Sequence, residues 1–343
     1  MSKYRQVWAA LAVMTLGVTV GQPVGAWGHQ GHEIIGAIAD TLLVGTDAEK
    51  KVRSLLGAEK LATAALWADC VKGVGNRPPY KYHLNSRYPE CDPFQQSAAG
   101  REAMEDYVRR NAIGCHPRSG EETCHKAYHY ADVAIEHNTY DRADVGTSDH
   151  DVVNAIGAAI AKLKGQVVPT PFSFETKEEA LRVLAHLVGD VHQPLHVGAI
   201  YLDATGHEVN PDAGSFDPDS KTRGGNLLIH GRSCKLHAEW DAIPRSLGAS
   251  QFLIQAVTQA KLLPETAGPV SEWARAWASE TVGVSRMAFS GLNFGPELNA
   301  GTHRARWPMV EPVDYSAHRC ALQKEQLVRA GARLAQLLEA VFP

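Results

Sequence analysis

The chain has no surplus of positive charge. Thirty-four Lys and Arg stand against 38 Asp and Glu, a formal charge of −4. That balance disfavours a protein that clamps long duplex DNA by neutralising phosphates, although bound cations would supply positive charge locally. No C-x-x-C pair occurs, so the cysteines do not read as zinc ligands. No N-x-S/T sequon occurs, so N-glycosylation is not expected. Beyond the first two dozen residues, no stretch reaches ~18 uninterrupted apolar residues, so no transmembrane anchor is expected. Internal repeats, low-complexity tracts and linkers are missing, and alternating strand patterns are rare.

Residues 1–26 carry Lys3 and Arg5, an apolar run from Val7 to Val20, and the small-residue end Val24-Gly25-Ala26. This is the layout of a secretory signal peptide with an A-x-A-like cleavage site. The expectation is an exported protein, periplasmic or secreted, that starts at Trp27. Its free α-amine is then a nitrogen donor, with His32 five residues further on. The six cysteines (Cys70, Cys91, Cys115, Cys124, Cys234 and Cys320) are an even number in an exported chain, which favours disulfides. Fifteen pairings are open, and one or two thiols are allowed to stay free.

Helical periodicity dominates. Val152, Ile156, Ile160 and Leu163 form one stripe between 149 and 164. Thr176-x-x-Glu179 is a capping box before Leu181, Leu184 and Leu187. Segments 31–45, 250–262, 270–290 and the tail from Leu327 to Val341 also read as helices. Long polar loops are expected at 74–100, 114–127, 198–225 and 292–318. One all-α, multi-helix domain over 27–343 is the simplest architecture.

The chemistry lies in paired imidazoles and carboxylates. His186 and Asp190 stand at i and i+4 on one helix, and His196 follows in His-Gln-Pro-Leu-His. His237 and Asp241 repeat the spacing. Asp69 ends Trp-Ala-Asp, and His129 opens His-Tyr-Ala-Asp. One such pair alone is commonly an exposed contact or a satisfied buried histidine. Two on apolar helices, with a Trp at the cut site, favour a zinc cluster. Five histidines, three aspartates and the chain terminus suffice for three ions.

In motif order, Trp-Gly-x-x-Gly-His, Trp-Ala-Asp, His-Tyr-x-Asp, His-x-x-x-Asp-x-x-x-x-x-His, Gly-Gly-Asn and His-x-x-x-Asp, the chain resembles the S1/P1 nuclease family. These are secreted, zinc-dependent, single-strand-specific nucleases related to zinc phospholipase C. The resemblance implies one zinc on Asp69, His129, His186 and Asp190, and a second on His196, His237 and Asp241. It implies a third on the amine and carbonyl of Trp27, on His32, and on Asp190 as a bridge. A hydroxide generated between metals would attack phosphorus and break the P–O3′ bond of single-stranded DNA or RNA. The products would carry 5′-phosphates, and 3′-nucleotides would also be substrates. Asp69, Lys72 and Asp190 would be the catalytic residues. Lys72 would contact the scissile phosphate, Tyr130 would stack on a base, and Asp132 and Asn226 would hydrogen-bond the substrate. The enzyme is expected to act as a monomer without a stable protein partner.

His83 also follows Trp-Ala-Asp, but His129 is preferred because Tyr130 and Asp132 follow it as the family motif requires. That choice makes 73–127 a long insertion and His83 an ordinary loop residue. The stretch Ala199–Arg223, between His196 and His237, is a second departure. Two rival readings are a zinc phospholipase C and a non-catalytic exported zinc-binding protein. Lys72, Gly224-Gly225-Asn226 and an Asp at position 241 favour the nuclease over the first. The set Lys72, Tyr130, Asp132 and Asn226 is superfluous for the second.

Overall fold

A computed structural model describes residues 27–117, 121–248, 250–299 and 305–343. The signal segment expected over residues 1–26 lies outside the described residues. The N-terminal third holds α1 (Gly28–Leu42), α2 (Asp47–Leu56), α3 (Leu61–Ala64), α4 (Trp67–Val71), α5 (Asp92–Gln95), α6 (Ala98–Ile113) and α7 (Cys124–Ala127). The middle holds α8 (Val152–Leu163), α9 (Lys177–Asp190), α10 (Pro194–Val197) and α11 (Leu236–Asp241). Three more helices close the chain: α12 (Ser250–Ala260), α13 (Val270–Phe289) and α14 (Tyr315–Val341).

The mostly helical expectation holds. Among the described residues, six short strands accompany the helices. β1 (Val133–Ala134) and β2 (Gly198–Ala199) pair in parallel. β3 (Leu228–His230), β4 (Cys234–Lys235), β5 (Asn293–Phe294) and β6 (Trp307–Val310) form a small sheet in the order β4-β3-β6-β5.

Helix α9 sits at the centre. From Glu179 to Asp190 every residue except Arg182 is buried, so the helix presents apolar side chains all round. Its start follows the sequence signal: Thr176 Oγ1 accepts the Glu179 N–H at 3.0 Å. The Glu179 carboxylate reaches back to the Glu175 N–H at 2.9 Å, one residue earlier than in the usual capping box. Its other oxygen takes Arg110 of α6 at 2.7 Å. One large apolar cluster spans α1, α8, α9, α13 and α14, and a second lies around α11 and the small sheet. The ends of α9, α10 and α11 meet near their boundary.

Three expected loops are more structured than their composition suggests. The stretch 74–100 contains α5 and the start of α6. Helix α6 itself escaped the sequence reading, because its exposed face is heavily charged. Only Met104, Tyr107, Val108 and Asn111 are buried, and Ser97 caps it by accepting the Gly100 N–H at 2.9 Å. The stretch 292–318 contains β5, β6 and the start of α14. The third, 198–225, opens with β2 and is tied down by Tyr201, whose hydroxyl donates to the Asp132 carbonyl at 2.6 Å. Disulfides join Cys70 to Cys91 and Cys115 to Cys124, while Cys234 and Cys320 are free thiols. The first bridge ties α4 to the insertion.

Candidate metal centre

The i, i+4 spacing places His186 and Asp190 on the last turn of α9. The helix ends there, and Pro194 starts α10, which carries His196. The β3–β4 hairpin runs directly into α11 with His237 and Asp241. Helix α4 delivers Asp69, and the turn after α7 delivers His129. Trp27 ends the described chain in a left-handed conformation, φ 41°, and His32 follows in the first turns of α1.

These residues converge. His129 Nδ1 lies 2.9 Å from Asp190 Oδ2, and His186 Nε2 lies 3.1 Å from the same oxygen. His186 Nε2 and His129 Nδ1 are 3.0 Å apart. Asp69 Oδ1 is 3.6 Å from His186 Nε2 and 4.0 Å from His129 Nδ1. On the other side of Asp190, Oδ1 lies 3.4 Å from His32 Nε2 and 3.6 Å from His196 Nδ1. His237 Nε2 lies 3.5 Å from Asp241 Oδ2. In three groups one donor atom from each residue lies within 4.8 Å of the others: His32, His186 and Asp190; Asp69, His129 and His186, which shares His186 with the first; and His196, His237 and Asp241. Asp190 thus turns one oxygen to each side, the arrangement a bridging carboxylate needs.

The donor chemistry fits a divalent cation. Buried polar atoms without hydrogen bonds are costly, yet both ring nitrogens of His32, Asp190 Oδ1, His196 Nε2 and Asp241 Oδ2 are buried without one. The backbone fixes the ring orientations. His186 Nδ1 pairs with the Ala65 carbonyl at 2.6 Å, His196 Nδ1 with the His129 carbonyl at 2.8 Å, and His237 Nδ1 with the Gly224 carbonyl at 2.8 Å. Each pairing leaves Nε2 facing the cluster, as supporting hydrogen bonds around metal sites do.

Protonation favours the same role. Burial pushes the His129 ring down to about 3 and the His237 ring to about 4, so both are neutral donors at pH 7. Burial also lowers His32 and His196. Asp69 and Asp190 resist burial because Lys72 and the surrounding imidazoles hold them below the ordinary carboxylate range. His186 is raised by Asp190 and Asp69 despite its burial. Asp241 is the other exception, pushed up to about 7 by burial.

The substrate candidates are more scattered in their contacts. Lys72 Nζ pairs with Asp69 Oδ1 at 2.6 Å and stays partly exposed at the edge of the cluster. Tyr130 is half-buried and hydrogen-bonds the Glu122 backbone. Asp132 is pushed up to about 6 by burial, against the pull of Lys221 and Arg223. Those two cations lie in the 199–223 stretch and escaped the sequence reading. Asn226 is turned back on its own loop, its amide donating to the Arg223 carbonyl at 3.2 Å. The glycines before it have a metal-side duty: a Cβ on Gly224 (φ 55°) would stand 2.2 Å from the Leu195 carbonyl, and its own carbonyl aims His237.

Gln193 was also missed. Its amide donates to Asp241 Oδ1 at 2.8 Å, while its Oε1 accepts the Leu195 N–H. The signal was present in His-Gln-Pro-Leu-His, where a polar residue sits inside a buried turn. His83 is exposed and belongs to none of the three donor groups.

A mostly helical fold with a buried His/Asp cluster defines a metal-binding helical enzyme, and the sequence comparisons supply its class. The family pattern described as S1/P1 Nuclease matches residues 27–343, so the chain belongs to the S1/P1 nuclease family. It is accordingly a nuclease, a zinc-dependent hydrolase of phosphodiester bonds. Among its relatives, Endonuclease 2 of Arabidopsis thaliana is 25% identical over 369 residues, covering 100% of both chains. Endonuclease 4 of the same plant is 27% identical over 48% of this chain and 50% of its own. Nuclease S1 of Aspergillus oryzae is 24% identical over 75% of this chain and 64% of its own.

Proposed function

We propose that residues 27–343 form one exported catalytic domain whose start is freed by cleavage before Trp27. The domain then holds three zinc ions and hydrolyses single-stranded DNA or RNA to 5′-phosphate products. Nucleoside 3′-phosphates are substrates of the same centre. The observation that carries this reading is the set of buried, unpartnered donor atoms on His32, Asp190, His196 and Asp241.

Asp69, His129, His186 and Asp190 hold one ion. His196, His237 and Asp241 hold the second. The amine and carbonyl of Trp27, His32 and the second oxygen of Asp190 hold the third. In support, the Trp27 backbone nitrogen already points inward, 3.1 Å from Asp241 Oδ1, and the family match begins at Trp27. Bound zinc supplies Lewis acidity at the phosphate and acidifies water near it.

The chain's own residues do the rest. Lys72, kept charged by Asp69 and Asp190 despite burial, binds a non-bridging phosphate oxygen as a point charge. Tyr130 offers a π face to an unpaired base, and Asp132 and Asn226 contact the substrate beside it. Stacking of this kind requires a base free of its duplex partner, which gives single-strand preference. Export is supported by two disulfides, which persist in oxidising compartments. The enzyme works as a monomer.

Incubation of the zinc-loaded protein with a defined single-stranded oligonucleotide, and separately with phosphatidylcholine, tests this. Oligonucleotide cleavage to 5′-phosphorylated fragments, abolished by EDTA and restored by zinc, is expected. Phosphatidylcholine hydrolysis in its place, or cleavage that persists in chelator, overturns the reading.

A further inference from the structure

A cavity adjoins the cluster on the side of the 73–127 insertion. Its volume is about 240 Å³, smaller than a drug-sized pocket at ~300–1,000 Å³ and suited to one flat heterocycle. One wall is the catalytic side itself: Gly28, Asp69 and Lys72. The opposite wall belongs to the insertion: Tyr82, Tyr88 and Glu90, with the Cys70–Cys91 disulfide beneath.

The insertion wall is built rather than incidental. The Tyr82 ring lies over Gly73, where a Cβ would stand 2.9 Å from its Cε2. Its hydroxyl donates to Gln95 Oε1 at 3.1 Å, and its backbone N–H donates to Glu105 at 2.9 Å. The fully buried Gln95 also binds the Tyr88 carbonyl at 3.2 Å. Both tyrosines pack partly against the main apolar core. Glu90 faces His29 at 3.7 Å and is mostly covered.

We propose that this cavity is a nucleobase subsite, distinct from Tyr130, for the nucleoside on one side of the scissile phosphate. Lys72 lines both the cavity and the cluster. A phosphate bound by Lys72 therefore brings one neighbouring base to the mouth of the cavity. Tyr88 supplies a stacking face, which every base tolerates. Glu90, an acceptor-only carboxylate, takes N–H donors from the base edge. This extends the nuclease reading and rests on it: the chain grips two bases, so substrates with a base on both sides of the bond are preferred.

The test compares zinc-loaded wild type, Tyr88→Ala and Tyr88→Leu. One substrate is a dinucleoside monophosphate, and the other is a nucleoside 3′-methylphosphate carrying a single base. Tyr88→Leu keeps apolar packing against the core but removes the π face, so it reports even if Tyr88→Ala fails to fold. Wild type is expected to prefer the dinucleotide. Both variants are expected to lose on the order of tenfold in that preference, through KM, at unchanged zinc content. An unchanged ratio, or equal loss on both substrates, overturns the subsite. Failure of wild type to cleave either substrate instead overturns the nuclease reading, so the two failures are distinguishable.

Discussion

The Trp27 indole donates a 2.8 Å hydrogen bond to the Gly189 carbonyl, one residue before Asp190. The residue at the expected cut site is therefore locked to the helix that carries the central carboxylate. Trp27 is fully buried, so its position is set by packing as well as by that bond. On the proposed cleavage before Trp27, its freed nitrogen would be in place before any ion arrives.

A variant that retains one alanine ahead of Trp27 is expected to bind two zinc ions per chain instead of three. The α-amine becomes an amide, which is a poor ligand. Elemental analysis of the purified protein checks this, and three ions in the extended chain would remove Trp27 from the ligand set.

Gly189 is a steric requirement of the site. A Cβ there would stand 2.8 Å from His32 Nδ1, and the His32 ring is stacked 3.7 Å from His186. Gly189→Ala is expected to cost ~1–3 kcal/mol and to weaken binding of the His32 ion. Denaturant unfolding with and without zinc measures both effects. A variant as stable as wild type that still binds three ions would contradict the close packing.

Gln193 holds Asp241 from behind. Gln193→Leu keeps much of the volume but removes the 2.8 Å hydrogen bond, leaving the Trp27 backbone nitrogen as the remaining hydrogen-bond partner of Asp241 Oδ1. Zinc affinity at the His196, His237 and Asp241 position is expected to fall ~10–100-fold. Competition with a fluorescent chelator reads this directly. Unchanged affinity would assign Gln193 to the Leu195 turn alone.

Protonation makes a calorimetric prediction. At pH 7 His129 and His237 are already neutral, and Asp69 and Asp190 are already ionised. Zinc therefore displaces protons mainly from Asp241, raised to about 7, from His186, and from the freed Trp27 α-amine, whose ordinary pKa of ~7.7–8.0 keeps it largely protonated at pH 7. Proton release is expected to be on the order of two per chain at pH 7 and to grow as pH falls and His186 and Asp241 bind protons. Titration in buffers of different ionisation enthalpy measures it. Release that does not grow on acidification would show that these two groups are not ligands.

The i, i+4 pairs on α9 and α11 were legible in the sequence because helical periodicity fixes which side chains share a face. So was the helix start at Thr176, where a short polar side chain caps an exposed N–H group. The preference for His129 over His83 rested on Tyr130 and Asp132 beside it, and the structure places His129, not His83, in the buried cluster. The motif order carried the nuclease reading, and the family match over residues 27–343 agrees with it.

The meeting of those ligands was decided only by the tertiary structure. Asp69 and His129 are separated by an insertion whose α6 is too charged to announce itself, and only burial of Met104, Tyr107 and Val108 orders it. Supporting atoms such as the Ala65, His129 and Gly224 carbonyls belong to the backbone, and backbone has no sequence signature. Local pattern fixes which residues face inward on each element. Which inward faces then meet depends on packing between segments more than a hundred residues apart, and no local pattern encodes that.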